Sequence, residues 1–153
     1  AKFPWEELKE DFEGWHPDIQ TIINLADHDE CYRWAMYKRP VVPNWSTQRA
    51  TILGDAAHAT LPYLAQGAAM AIEDGAVLAR ALRICDSCED ALQLYQRNRV
   101  ERTARVVEAS DANRKLFHLD SVNEIRNYFA TRDEGANRNN WLYSYNPLTV
   151  ELL

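Results

Sequence analysis

Residues 52–79 read ILGDAAHATLPYLAQGAAMAIEDGAVLA, and the fold turns on the middle of that stretch. The apolar run Ala50 to Leu53 ends in Gly54-Asp55, the pattern of a short buried strand that delivers one carboxylate at its carboxyl end. A loop with a single proline, Pro62, follows. From Gly67 to Leu82 the small and apolar residues Ala68, Ala71, Ile72, Gly75, Ala79 and Leu82 recur at helical spacing. Their side chains are short, so this helix can approach another backbone or a flat ligand closely.

Upstream, Pro4 with Trp5, Glu6 and Glu7 places proline and acids in a first helical turn, and Pro17-Asp18 repeats the signal before IQTIINLA. Two short helices are expected to open the chain. CYRWAMYKR, residues 31–39, alternates as a strand would, and Pro40, Pro43 and Asn44 stop it. Downstream, Ser87 to about Ala109 reads as a long polar helix, with Glu101 and Arg105 spaced four apart as a supporting ion pair. Ser110 to Phe129 reads as helical beyond a kink. The tail from Asn137 to Leu153, with Trp141, Tyr143, Tyr145 and Pro147, lacks periodicity and is expected to lie over the body as an extended aromatic strap. There is no internal repeat and no low-complexity tract.

At 153 residues and 46% hydrophobic content the chain suits one globular domain or a large piece of one. A net charge of −6 argues against a nucleic-acid partner. The longest basic-rich stretch, Gln96 to Arg105, is interrupted by Glu101 and reads as a solvated helix face. No run approaches the length of a membrane span, and the opening AKFPWEELKEDF has no apolar signal core, so no membrane association is expected and the cytoplasm is the expected compartment. Cys31, Cys85 and Cys88 make no disulfide framework. The single Cys85/Cys88 pair has no second pair at metal-ligand spacing. Ser87 with Asp90 resembles a capping box, which would make Cys85 the end of one helix and Cys88 the start of the next. No metal site is expected.

The loop has its own chemistry. A lone carboxylate at the carboxyl edge of a sheet, where ligands of open α/β sheets bind, accepts from hydroxyls and repels phosphate. The group beside Asp55 is therefore expected to be a polyol. No Lys with an adjacent Ser or Thr follows a glycine run, so the loop is not a P-loop. It feeds a helix that starts Gly67-Ala68-Ala69, whose free N–H groups carry no side-chain bulk and favour negative charge by about 0.3–1 kcal/mol, up to ~2 when partly buried. A polyol at one end and an electron-rich planar ring at the other describe a flavin.

GDAAHATLPYLAQGAAMAIEDGAVLARAL closely resembles the second FAD-binding motif of the single-component FAD-dependent aromatic hydroxylases, in particular the salicylate, hydroxybenzoate and hydroxynicotinate hydroxylase-like group. YKRPVVPNWSTQRATILGD is similar to the group's return from the substrate domain, YQRNRVERTARVVEASDANRKLFH to its C-terminal helices, and WLYSYNPLTVEL to its chain end. The resemblance covers roughly residues 31–153. It implies that Asp55 accepts a hydrogen bond from a ribityl hydroxyl of FAD. It implies that Pro62 lies beside the isoalloxazine near C4a, and that the amides of Gly67, Ala68 and Ala69 face N1 and O2. It places Tyr63 over an aromatic substrate, so that Pro62 and Tyr63 bound the reaction site. His58 and Asp74 match the pattern as parts of its scaffold. Ala59 stands where the motif often has proline.

The implied activity is hydroxylation of a phenolic or carboxylated aromatic ring with NADH or NADPH and O2. The implied parent fold is α/β, an FAD/NAD(P)-binding Rossmann-like domain with a substrate-domain sheet. This chain itself is expected to be mostly helical, with short strands near 31–39 and 50–53. The family's opening GxGxxG half is absent here. Residues 1–43 are thus expected to end the substrate domain and 44–153 to form the C-terminal part of the FAD domain, working with an N-terminal chain or segment. Self-association stays open. So do two other readings, a non-catalytic assembly module that kept the flavin-half sequence, and a related flavin halogenase or epoxidase.

Overall fold

A computed structural model of the chain describes residues 2–130 and 139–153. The chain forms two compact units, residues 1–36 and 37–153. The first holds helices α1 (Trp5–Asp11) and α2 (Pro17–Leu25), started where proline and acids sit in the sequence. The Trp5 indole N–H donates to the Ile23 carbonyl at 3.0 Å, and the Trp5 ring stacks on His28 with centroids 3.8 Å apart. Ile23 is the one buried residue among the described residues of this unit.

The second unit is built on two long helices, α4 (Gly67–Ile84) and α5 (Cys88–Phe117), preceded by a single turn, α3 (Asp55–His58). The α4–α5 junction follows its local code. Cys85 ends α4, and the Ser87 hydroxyl caps α5 by accepting from the Asp90 N–H at 3.1 Å. The turn sends α5 back antiparallel to α4, so that Val77 and Ala81 pack with Ala91, Leu94 and Tyr95 over Trp45 and Ala57. A second cluster forms further along, from Met70, Val106 and Leu142.

The stretches read as strands form no ladder. Each carries one isolated antiparallel bridge, Lys2 to Tyr32 and Ser46 to Thr51. A strand needs a neighbouring strand for its N–H and C=O groups, and around the second stretch side chains of α5 serve instead. The Gln96 side-chain carbonyl accepts from the N–H groups of Trp45 and Ser46 at 2.6 and 2.8 Å, and the Tyr95 hydroxyl donates to the Ile52 carbonyl at 3.2 Å.

Three further readings are corrected. α5 runs unbroken past Ser110 to Phe117; the interruption falls at 118–121, before α6 (Val122–Ala130), which the Ser121 hydroxyl caps through the Glu124 N–H. Glu101 and Arg105 form no ion pair among the described residues, because the Arg105 guanidinium lies 3.9 Å over the Trp141 ring. The tail is not wholly extended: Asn140–Tyr143 form a helical turn, α7, while Asn137 lies outside the described residues. Beyond α7 the tail is a strap, held where Arg80 donates to the carbonyls of Pro147 and Val150, both at 2.7 Å.

Candidate functional site

Gly54 opens the site. Its φ of +57° and ψ of −141° lie where an L-residue is strained, and the tight turn this allows swings the chain from the extended segment into α3. Asp55, first in α3, is exposed, and its carboxylate has no protein partner among the described residues. It borders an open cleft of about 480 Å³ that Tyr37 to Val42 and Ala59 also line. The Arg39 N–H donates to the Ala59 carbonyl at 2.9 Å and holds the cleft's wall against the loop.

The loop then makes one 3-10 turn at Pro62–Leu64 and reverses at Ala65, in the left-handed region at φ +52°. Gln66 precedes α4 with no side-chain cap. No group among the described residues accepts from the N–H of Gly67, Ala68 or Ala69; the first bond back into the helix start is Met70 N–H to the Gln66 carbonyl at 2.8 Å. Ala68 is exposed, and Gly67 and Ala69 are half-buried. The arrangement is an uncapped helix start with three free donors. Pro62 is exposed, and Tyr63 is half-buried with its ring edge-on to His118 and tilted against Phe117, centroids 5.9 and 5.8 Å apart. Asn113 donates to the Tyr63 carbonyl at 3.2 Å, so the turn carrying Pro62 and Tyr63 is moored to α5.

Beneath these groups lies a buried charge network. The Asp74 carboxylate, fully buried on α4, accepts from the Gly54 N–H at 2.9 Å and bonds the His58 Nε2 at 2.6 Å, both through Oδ2. A carboxylate held ionised only accepts, so Nε2 carries the proton. Oδ1 accepts from the Arg99 Nε at 2.7 Å. Arg99, also fully buried, reaches Glu73 at 2.8 Å, and Glu73 takes a two-pronged contact from Arg102 at 2.7 and 2.9 Å. Arg102 in turn donates to the Trp141 and Leu142 carbonyls and lies 3.7 Å over the Tyr145 ring.

Burial alone would raise the Asp74 carboxyl, but hydrogen bonds from His58, Gly54 and Arg99, with the Arg99 charge, outweigh it and hold the group below the ordinary carboxylate range. Burial likewise works to lower Arg99, and Asp74 and Glu73 reverse it, so the guanidinium is held more firmly charged than usual. The His58 and Asp74 scaffold reading thus acquires a definite geometry.

Arg99, Arg102 and Glu73 were missed in sequence, where Gln96–Arg105 reads as a solvated face. The face is not solvated: Arg99 is fully buried and the Arg102 side chain only 10% exposed. The signal was the Glu73-Asp74 pair, the only acids of α4, facing two arginines three residues apart. Among the described residues no group of three or more His, Cys, Asp or Glu could hold a metal ion, no disulfide links the free cysteines, and no helix is long and apolar enough to cross a membrane.

Comparison with known proteins gives this geometry a context. A family model described as an FAD binding domain matches residues 1–110. The chain is 46% identical over 110 residues to a 6-hydroxynicotinate 3-monooxygenase of Pseudomonas fluorescens, an alignment that takes in 71% of this chain and 28% of that protein. It is 40% identical over 146 residues to a 3-hydroxybenzoate 6-hydroxylase of Polaromonas naphthalenivorans, covering 92% and 36%. The chain therefore spans about a third of the length of these relatives. In three dimensions it resembles Klebsiella pneumoniae HpxO, solved in complex with FAD and uric acid, with a TM-score of 0.74 at 24% identity over 85% of this chain and 34% of that one. At that identity the likeness speaks for the fold.

Proposed function

This chain belongs to the FAD binding domain family, that of the aromatic-hydroxylase-like flavin monooxygenases, and we propose that it is the C-terminal portion of such an enzyme, supplying the flavin-ring side of its site. Residues 1–43 would close the substrate domain and 44–153 the FAD domain, with an N-terminal chain or segment providing the nucleotide half. The observation that carries the reading is the Asp55 carboxylate, held out of the Gly54 turn with no protein partner among the described residues.

The residues present fit FAD. Asp55 offers an acceptor suited to a ribityl hydroxyl, and Gly67, Ala68 and Ala69 offer donors with no side chain above them. A Cβ at Gly67 would meet Thr60 only at an ordinary 3.7 Å, so no clash among the described residues demands glycine there. Glycine suits a surface that something approaches from outside. The exposed row Ala68, Ile72, Gly75, Ala79 and Leu82 on α4 supports the same view, since an apolar stripe in water favours a covering partner.

When bound and reduced by NADH or NADPH, FAD would supply the electrons that activate O2, one oxygen atom going into the aromatic ring and the other leaving as water. Asp55 accepts from the cofactor's polyol and fixes its position. The amides at 67–69 stabilise negative charge at the pyrimidine end of the ring, preorganised because the helix already orients them. Pro62 bounds the reaction site, and Tyr63, braced by Phe117 and His118, contacts the substrate. A phenolic or carboxylated ring is the proposed substrate, on the pattern of the relatives' names. A cytoplasmic location goes with a nicotinamide reductant and reduced cysteines.

The test is NAD(P)H oxidation by the assembled flavoenzyme, stimulated by hydroxybenzoates or 6-hydroxynicotinate, together with FAD titration of Asp55→Ala. Unchanged FAD affinity in that variant removes the role given to Asp55. A single 17.7 kDa species carrying stoichiometric FAD would overturn the two-part reading.

A further inference from the structure

The Asp55 carboxylate is exposed, yet the turn that presents it is held from beneath by a fully buried residue, Asp74. One oxygen, Asp74 Oδ2, takes the Gly54 N–H at 2.9 Å and the His58 Nε2 at 2.6 Å. Those donors lie immediately before Asp55 and three residues after it, so a single buried atom grips α3 at both ends. Within α3 the His58 N–H also closes on the Gly54 carbonyl at 2.9 Å, which couples the two gripped residues to each other. The other carboxylate oxygen is fixed by the Arg99 Nε, and Arg99 is braced by Glu73 and by the Met70 carbonyl at 3.3 Å. Asp74 sits on α4, the helix whose first residues offer the free amides. Asp55 and those amides are therefore referenced to one rigid element, although they are 12 residues apart in sequence.

We propose that Asp74 is a positioning residue for the cofactor site: through Gly54 and His58 it sets where the Asp55 carboxylate stands relative to the α4 amides, and Arg99 holds Asp74 in place. The inference rests on the reading of Asp55 as an FAD contact. A clamp of this kind acts chiefly through Asp55, so its removal is expected to change affinity most when Asp55 is there to be displaced.

A double-mutant cycle on the assembled flavoenzyme tests this, with Asp55→Ala, Asp74→Asn and the double variant, FAD dissociation constants read by flavin fluorescence and denaturation midpoints read in parallel. Asp74→Asn is expected to weaken FAD by at least about tenfold alone and by less than about twofold in the Asp55→Ala background. Equal losses in both backgrounds would show a general structural effect and overturn the inference while leaving the Asp55 role intact. An unchanged affinity in Asp55→Ala itself would overturn the FAD contact and the positioning role together. Where Asp74→Asn does not fold, a gentler pair serves. His58→Gln keeps an N–H donor for Oδ2 and is expected to bind FAD within about twofold of wild type, whereas His58→Leu loses the donor and is expected to fall about tenfold. Equal affinity of these two variants overturns the inference. Amide exchange of residues 54–58 adds a readout without cofactor, with faster exchange expected in His58→Leu than in His58→Gln.

Discussion

The two faces of α4 invert the usual amphipathic helix. The face turned to α5 buries Met70, Asp74, Val77 and Ala81, and so carries a carboxylate into the core. The opposite face leaves Ile72 at 72% and Leu82 at 51% exposure, with Ala68, Gly75 and Ala79 exposed on the same row. Charge inside and apolar surface outside is the reverse of what burial energetics favour for a lone helix. The inner face is tolerable because each charge meets its opposite within 3 Å. The outer face is what a helix looks like when another layer is meant to lie on it, as the proposed N-terminal half would.

The largest effect is expected from breaking the inner face. Arg99→Met removes the one cation among the described residues that touches both Glu73 and Asp74 and leaves Asp74 buried without that counter-charge. A loss of about 3–5 kcal/mol is expected, measured by urea denaturation. A loss below about 1 kcal/mol would mean that the network opens to water and is not a core. The same interaction has an acid signature. Asp74 is lowered in the folded chain, so on acidification the unfolded carboxyl binds its proton first. Its contribution is then complete above the ordinary value of about 3.9 and is lost as pH falls through the lowered native one. The difference in urea midpoint between wild type and Asp74→Asn is therefore expected to shrink below about pH 4.

The contrast also explains what could be read from sequence and what could not. Ser87 and Asp90 were legible because capping is chemistry among neighbours, and the helix start at Gly67 was legible because three small residues in a row after a loop have few other uses. The buried placement of Arg99 was not legible: a helical arginine is solvated unless acids on another helix take it inside, and that depends on how α4 and α5 meet. The strand readings at 31–39 and 50–53 failed for a related reason. Alternation and an apolar run describe a segment that suits a sheet, but pairing belongs to the partner, and among the described residues each segment finds only one isolated bridge. Of the proposed site, Asp55 and Gly67–Ala69 were read as a motif, while the Asp74 contacts to Gly54 and His58 are visible only in three dimensions.

A smaller effect is expected at the hinge between the faces. Gly54→Ala places a Cβ at an ordinary 3.5 Å from that of Ala71, so space is not the obstacle. The obstacle is φ at +57° with ψ at −141°, a conformation that costs an L-residue about 1–3 kcal/mol. The variant is expected to lose that much in urea denaturation and to weaken FAD binding by the assembled protein, because the turn carries Asp55. A stable variant with normal FAD affinity would show that the turn can present Asp55 from another backbone shape.

The smallest effect separates the faces most cleanly. A Cβ at Gly75 meets nothing within 4 Å, and Gly75 lies inside a helix where glycine costs about 0.5–1 kcal/mol relative to alanine. Gly75→Ala is therefore expected to stabilise this chain by that amount in thermal or urea unfolding. In the assembled flavoenzyme the same methyl group would stand in the layer between α4 and whatever covers it, where packing is close and one extra carbon is felt. The gain is expected to vanish or reverse there, seen as a lower melting temperature or weaker association of the two halves. A gain of equal size in both settings would mean that the outer face of α4 stays in water, and the partner surface would have to be sought elsewhere on the chain.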